Sequence, residues 1–290
     1  MTDALELVGL ADGDVEVEIL PGVGARLHRV RAFGVEVLRT PDDPRTHLDQ
    51  PWFWGSYPLV PWCNRLPAGP LSVAGRVVDL PPNFSDGTAI HGQVAVASWS
   101  QDGASSWTVR AGGDGWPWRY EARQTIELAA DRLTLMLALT NRDETPMPAG
   151  LGIHPWFRDP LHIAIRAAAV HPSNLDPSRD PEPVRGDLDR REAGPLAVGV
   201  DAAWTDLAAP PVVLVWPRDG VHATVETSPT ARYVVAARLA GVDATAVEPE
   251  THAPAGLRRL LNGEPGGLEL LPPGETLSLA VSLRFERLET

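Results

Sequence analysis

The chain has 290 residues, enough for one large β domain or two ordinary ones around a substantial core. Its formal charge of -13 is carried without a single lysine, and its arginines form no basic run, which argues against nucleic acid as a partner. Cys63 is the only cysteine, the first residues lack the basic and apolar regions of an export signal, and no apolar stretch approaches the roughly 20 residues that span a bilayer; the expectation is a cytoplasmic protein with no internal disulfide and no membrane insertion.

In chain order, alternating or β-rich runs fall at residues 14–20, 35–39, 76–80, 106–111, 120–128, 133–140, 162–170, 212–216, 221–227, 232–239 and 276–285. Period-two alternation places successive side chains on opposite faces of a strand. The 29 prolines and the Gly, Asp and Asn clusters between these runs suit the connections of a sandwich or barrel. Residues 128–133 read as a hairpin, and residues 215–220 carry turn chemistry before the next run. No convincing amphipathic helix is visible; the one short helix expected lies near residues 188–193, bounded by Gly186 and Gly194. Residues 171–199, rich in Pro, Asp and Arg, read as a long surface excursion. Strands of similar character on both sides of it favour a single β domain over residues 1–290.

Four turn-like segments, 62–69, 90–92, 152–157 and 247–254, concentrate polar groups among aromatics and glycines. Loops on a rigid scaffold are where sites are usually found. Trp52, Trp54, Trp62, Trp99 and Trp156 lie in or near them, and an indole suits both the apolar face of a pyranose and, through its N–H, a hydroxyl. The mixture suggests carbohydrate. Trp107, Trp116, Trp118 and Trp216 read as core or sheet-edge aromatics. Cys63, beside Trp62, reads as a packed and inert thiol. The remaining histidines show no metal-ligand spacing, although His252 is close enough in sequence to Glu248 to line a common pocket.

These segments carry a resemblance. Asn64-Arg65 followed by Gly69, His91-Gly92, His154-Pro155-Trp156-Phe157 and Glu248-Pro249 before Pro254 are similar, in this order, to motifs of the aldose 1-epimerase (galactose mutarotase) family. Residues 21–27 resemble its early sheet motif, and residues 271–275 the Pro-Gly-Glu before its last strand. Each string is weak alone; six in order over nearly the whole chain are specific. The resemblance implies an all-β fold, a large antiparallel β-sandwich of the galactose mutarotase type (supersandwich), and interconversion of sugar anomers without a cofactor or metal.

By the same resemblance Glu248 is the catalytic base and His154 the general acid. Arg65, His91 and Asp201 would bond substrate oxygens, with Asn64 and Trp156 beside them; Asp206 is near enough in sequence to compete with Asp201. The chemistry agrees with the residue types: opening a hemiacetal needs one group to take the C1 hydroxyl proton and another to protonate the ring oxygen. Trp156 stands where the family usually has tyrosine, and Gln93 where many members have glycine, so both are expected to shape which sugar fits. Alternatives are a hexose-phosphate 1-epimerase using Arg26, Arg39, Arg158 or Arg65, a non-catalytic carbohydrate-binding module, and a glycosidase with Asp201 and Glu248 as paired carboxylates.

Overall fold

The computed structural model describes residues 5–67, 69–113, 115–174 and 179–288. They form a predominantly β structure dominated by one large, curled, antiparallel sheet of 18 strands. Its path is continuous. The meander Ser106–Gly113, Trp116–Ala129 and Arg132–Asn141 passes to Thr276–Arg287, then to Val221–Thr227 and on to the 16-residue strand Asp201–Trp216. The two ends of that long strand have different partners: residues 212–216 pair with Val221–Thr227, and residues 201–204 with Tyr233–Ala237. Asp206, at φ 55°, sits between the two stretches, where the pairing with His162–His171 also shifts register. One strand therefore serves both halves, and the sheet curls around it.

From Tyr233–Ala237 the sheet continues through Ala244–Glu250, Gly152–Arg158 and Ser56–Leu59 to Arg26–Ala32 and Val15–Leu20. The inward faces of both halves meet in one core that includes Trp107, Trp116, Trp118, Trp204 and Trp216, each fully buried. Trp62 joins them, its ring centroid 5.0 Å from that of Trp116.

Every alternating run identified in the sequence lies in or overlaps a strand, and the predicted hairpin is the turn between Trp116–Ala129 and Arg132–Asn141. Three expectations need correction. Residues 152–157 and the first half of 247–254 are not turns but strands, Gly152–Arg158 and Ala244–Glu250, buried on both faces. A strand covered on both sides has no reason to alternate, so the period-two signal is absent there. The expected helix at 188–193 is a single 3-10 turn at Gly186–Leu188, and the excursion around it places the short strands Glu182–Pro183 and Gly194–Pro195 against His162–His171. Two short α-helices that the sequence did not announce are Thr46–Asp49 and Gly256–Asn262. The second starts after Ala255 in the left-handed region and stops at Gly263, likewise left-handed, too short for a visible amphipathic period.

Among the described residues no helix is long and apolar enough to cross a membrane.

Candidate active site

Strand pairing creates the centre of the site. Gly152–Arg158 and Ala244–Glu250 run antiparallel with Gly152 opposite Glu250 and Trp156 opposite Ala246, which sets His154 opposite Glu248 between them. On the other side His154 is opposite Tyr57, and Glu248 is opposite Val235. A neighbouring row places Trp156, Ala246, Ala237 and Asp201 in line across four strands. Two rows thus present an imidazole, a carboxyl, an indole and a second carboxyl on one face of the sheet, while Ile153, Phe157 and Val247 point into the core from the other.

A smaller sheet supplies the second wall. Arg65 pairs with Ile90, so Asn64 and His91 meet just beyond the last pair, and the His91 N–H donates to the Asn64 carbonyl at 3.0 Å. Both Asn64 and His91 have positive φ, 58° and 61°, a turn geometry that asparagine and histidine tolerate better than most residues. The cleft is lined by these residues with His154, Trp156, Asp201, Glu248, Asn174 and the aromatics Trp52, Phe53 and Phe84. All seven site residues expected from sequence are brought together. Asp206 instead lines a separate groove with Pro210 and Pro229.

His154 Nε2 lies 3.3 Å from Glu248 Oε1, and both side chains are only 5% exposed. Burial opposes charge on both groups. It pushes the Glu248 carboxyl well above its ordinary value, reinforced by Glu250 and Asp201, and pushes the His154 imidazole down to about 3. Tyr57 stacks on His154 with centroids 4.7 Å apart, and the guanidinium of the fully buried Arg26 lies 5.0 Å from the Tyr57 ring. Arg26 has no carboxylate partner among the described residues: it donates to the carbonyls of Val23, Pro51 and Ala95 and to His47 Nδ1.

His91 accepts the Asn64 backbone N–H at Nδ1, 3.3 Å away, and burial together with the nearby His154 and Arg65 holds its pKa well below 6.5. A neutral ring that accepts at Nδ1 carries its proton on Nε2, which makes it a donor. His91, His154 and Glu248 bring ligand-type atoms within 4.8 Å of one another. Metal binding at His91 Nε2 would require a proton on Nδ1, where the Asn64 N–H already points, so the trio fits a hydrogen-bonding role better than a metal centre.

Arg65 is held by Asp86, whose Oδ2 accepts from Nε at 2.7 Å, and by Asn64 Oδ1, which accepts from both the Arg65 backbone N–H at 2.9 Å and Nη1 at 3.2 Å. Asn64 therefore orients the arginine. Trp156 is fixed by its Nε1–H, which donates to the Trp52 carbonyl at 2.6 Å, and its ring lies 5.8 Å from Phe53. Asp201 accepts from Asn174 Nδ2 at 2.6 Å, yet burial still raises its carboxyl above the ordinary range.

Other expected residues lie elsewhere. Gln93 accepts the Tyr120 hydroxyl and donates to the Gly113 carbonyl, lining a different cleft beyond Trp52. It does not contact the centre of the site. Trp54 stacks with Arg39, and Trp99 donates to the Val94 carbonyl. The Cys63 thiol is buried and pushed well up by burial and by Glu250 and Glu248. His252 accepts the Cys63 N–H and donates to the Ala253 carbonyl, holding the turn behind the site rather than lining it. Sequence reasoning missed Asn174, Asp86, Phe53 and Phe84. No periodicity or motif marks them; the Asp86-Gly87-Thr88 string is at most a turn signal.

A family model described as aldose 1-epimerase matches residues 6–253. A protein of Escherichia coli called YphB and described as uncharacterized is 29% identical over 249 residues, covering 79% of this chain and 83% of its own length. Among solved structures, a putative aldose 1-epimerase from Escherichia coli K12 superposes with a TM-score of 0.82 at 23% identity, covering 98% of this chain and 99% of the other. A galactose mutarotase-like protein from Clostridium acetobutylicum gives 0.83 at 17% identity, with 97% and 95% covered. These likenesses extend the agreement in fold to nearly the full length of the chain.

Proposed function

Because the chain belongs to the aldose 1-epimerase family, we propose that it interconverts the α and β anomers of a free aldose, with Glu248 as base and His154 as acid. The reading rests above all on the 3.3 Å approach of His154 Nε2 to Glu248 Oε1 inside an aromatic cleft. Glu248 takes the proton of the C1 hydroxyl while His154 gives one to the ring oxygen; the bond from C1 to that oxygen breaks and an aldehyde forms. Rotation about C1–C2 presents the other carbonyl face. The new hydroxyl then returns its proton to His154 as its oxygen attacks C1, and Glu248 protonates the former carbonyl oxygen. Protons and electrons balance without a redox partner.

The pair needs only one shared proton. Burial disfavours charge on both groups; a sugar in contact with the two supplies the hydrogen bonds that support a carboxylate beside an imidazolium. His91, through Nε2–H, and Arg65 donate to sugar oxygens, and Trp156 covers an apolar face.

A free sugar suits the charges better than a sugar phosphate. Arg65 is the one arginine among the described residues lining the cleft, and Asp86 already neutralises it. Of the other candidates, Arg26 is buried, Arg39 pairs with Asp243 and Arg158 with Asp219. A phosphate dianion would find no spare cation.

The test is anomer exchange of freshly dissolved pure α-hexoses and pentoses, followed by proton NMR, with hexose 6-phosphates and an aryl glycoside as comparisons. Acceleration by the wild-type protein is expected, reduced about a hundredfold to ten-thousandfold in His154→Ala and in Glu248→Gln. Folded wild-type protein that accelerates none of the free sugars would refute the assignment; release of the aryl group would point to hydrolysis instead.

A further inference from the structure

Asn174 is 3% exposed, follows the strand His162–His171 and lines the cleft beside Asp201. Its backbone N–H donates to the Asp201 carbonyl at 2.9 Å, and its Nδ2 donates to Asp201 Oδ1 at 2.6 Å. A carboxylate oxygen accepts, so the amide must turn its nitrogen toward Asp201 and leave Oδ1 as the outer atom. That Oδ1 is buried and has no hydrogen-bond partner. Asp201 Oδ2 has none among the described residues either. A buried acceptor left unpaired is costly, and one at the wall of a ligand cleft calls for a donor from the ligand.

We infer that Asn174 is a specificity-determining residue: its Oδ1 and the second oxygen of Asp201 form a two-acceptor subsite that takes two neighbouring hydroxyl donors of an unmodified aldose. The inference rests on the proposed reading of the cleft as a sugar site and narrows it to a substrate class. His91 and Arg65 supply donors within the same cleft, so the two acceptors form one subsite of a lining that also donates. A sugar lacking a hydroxyl at this subsite leaves one acceptor empty; a phosphorylated or O-methylated one brings only acceptors to meet acceptors. Discrimination of this kind is stronger than that given by an apolar pocket, because the unpaired group is buried.

The experiment measures binding, so that it stands apart from turnover. Tryptophan fluorescence, with Trp52 and Trp156 in the cleft, reports titration by D-glucose, D-galactose and their 2-, 3-, 4- and 6-deoxy analogues, for wild type and Asn174→Ala, each checked for folding by circular dichroism. In wild type, removal of one of two adjacent hydroxyls is expected to weaken binding about tenfold or more relative to the parent sugar. In Asn174→Ala the parent sugar weakens and that contrast falls to within about threefold, while contrasts at the other positions persist. Equal wild-type binding of all deoxy analogues overturns the inference. So does uniform weakening of every sugar in Asn174→Ala, the outcome of a purely structural role. If the variant does not fold, the wild-type panel decides alone. Absence of anomer exchange with intact, hydroxyl-selective binding would count against the enzymatic reading and leave the subsite standing.

Discussion

Replacing Glu250 by glutamine tests how the buried acids are charged. Glu250 is fully buried, one strand step from Glu248 on the same face, and neither carboxyl oxygen has a hydrogen-bond partner. Burial, then the nearby Asp201, pushes its pKa well above 4.5. The folded chain therefore binds a proton at Glu250 that the unfolded chain releases above about pH 4.5. Stability from this group is complete below that value and is lost as pH rises toward the folded value, by about 1.4 kcal/mol for each pH unit in that interval. Glu248 acts in the same direction. Glu250→Gln removes one group's share, so relative to wild type the variant should gain about 1.4 kcal/mol per pH unit above 4.5, until the folded value is reached. Urea unfolding at pH 5, 6, 7 and 8 measures this directly. The amide leaves its own polar atoms buried, but that cost does not change with pH, so the slope and not the offset carries the prediction. Stability curves for the two proteins that run parallel from pH 5 to 8 would show that Glu250 is ionised in the folded state and that the reasoning is wrong.

Two further outcomes follow from the second wall of the cleft. Gly92 has φ +77°, and a Cβ there would overlap the Val60 carbonyl; Gly92→Ala should lower stability by about 2 kcal/mol or more in denaturant unfolding and weaken sugar binding by displacing His91. Asp86→Ala frees the Arg65 Nε from its 2.7 Å partner and removes the acceptor of the Thr88 N–H and hydroxyl, all at a partly exposed turn. Its unfolding free energy should stay within about 1 kcal/mol of wild type, while steady-state anomer exchange shows a KM raised severalfold with kcat changed less.

The sequence disclosed its strands unevenly, and the reason is solvent. Arg132–Asn141 and Thr276–Arg287 each turn one side to the core and the other outward, so their burial alternates residue by residue and their composition follows. Ser56–Leu59, Gly152–Arg158 and Ala244–Glu250 are covered on both faces, by core on one and by the site on the other. Their glycines, prolines and polar residues answer to function, and by local pattern the second and part of the third read as turns while the first carried no strand signal. The same segments were legible by a different route, since His154, Glu248, Arg65 and His91 sit in short strings that recur in order. Asn174 and Asp86 belong to no such string. Each earns its place through one contact made across many residues of chain, with Asp201 and with Arg65, and only the folded arrangement brings those partners together.

The opposition of His154 and Glu248 across a sheet ladder has a consequence for how such a protein can change over generations. Their spacing is written into backbone pairing, and a slip of one residue in either strand would turn that strand's member of the pair into the core and an apolar neighbour into the cleft. Other residues lining the cleft, Asn64, His91 and Asn174, hang from turns and connections that can lengthen, shorten or be exchanged without disturbing that ladder. Chemistry and selectivity are thereby inherited on separate parts of the chain, and drift in the second need not dismantle the first.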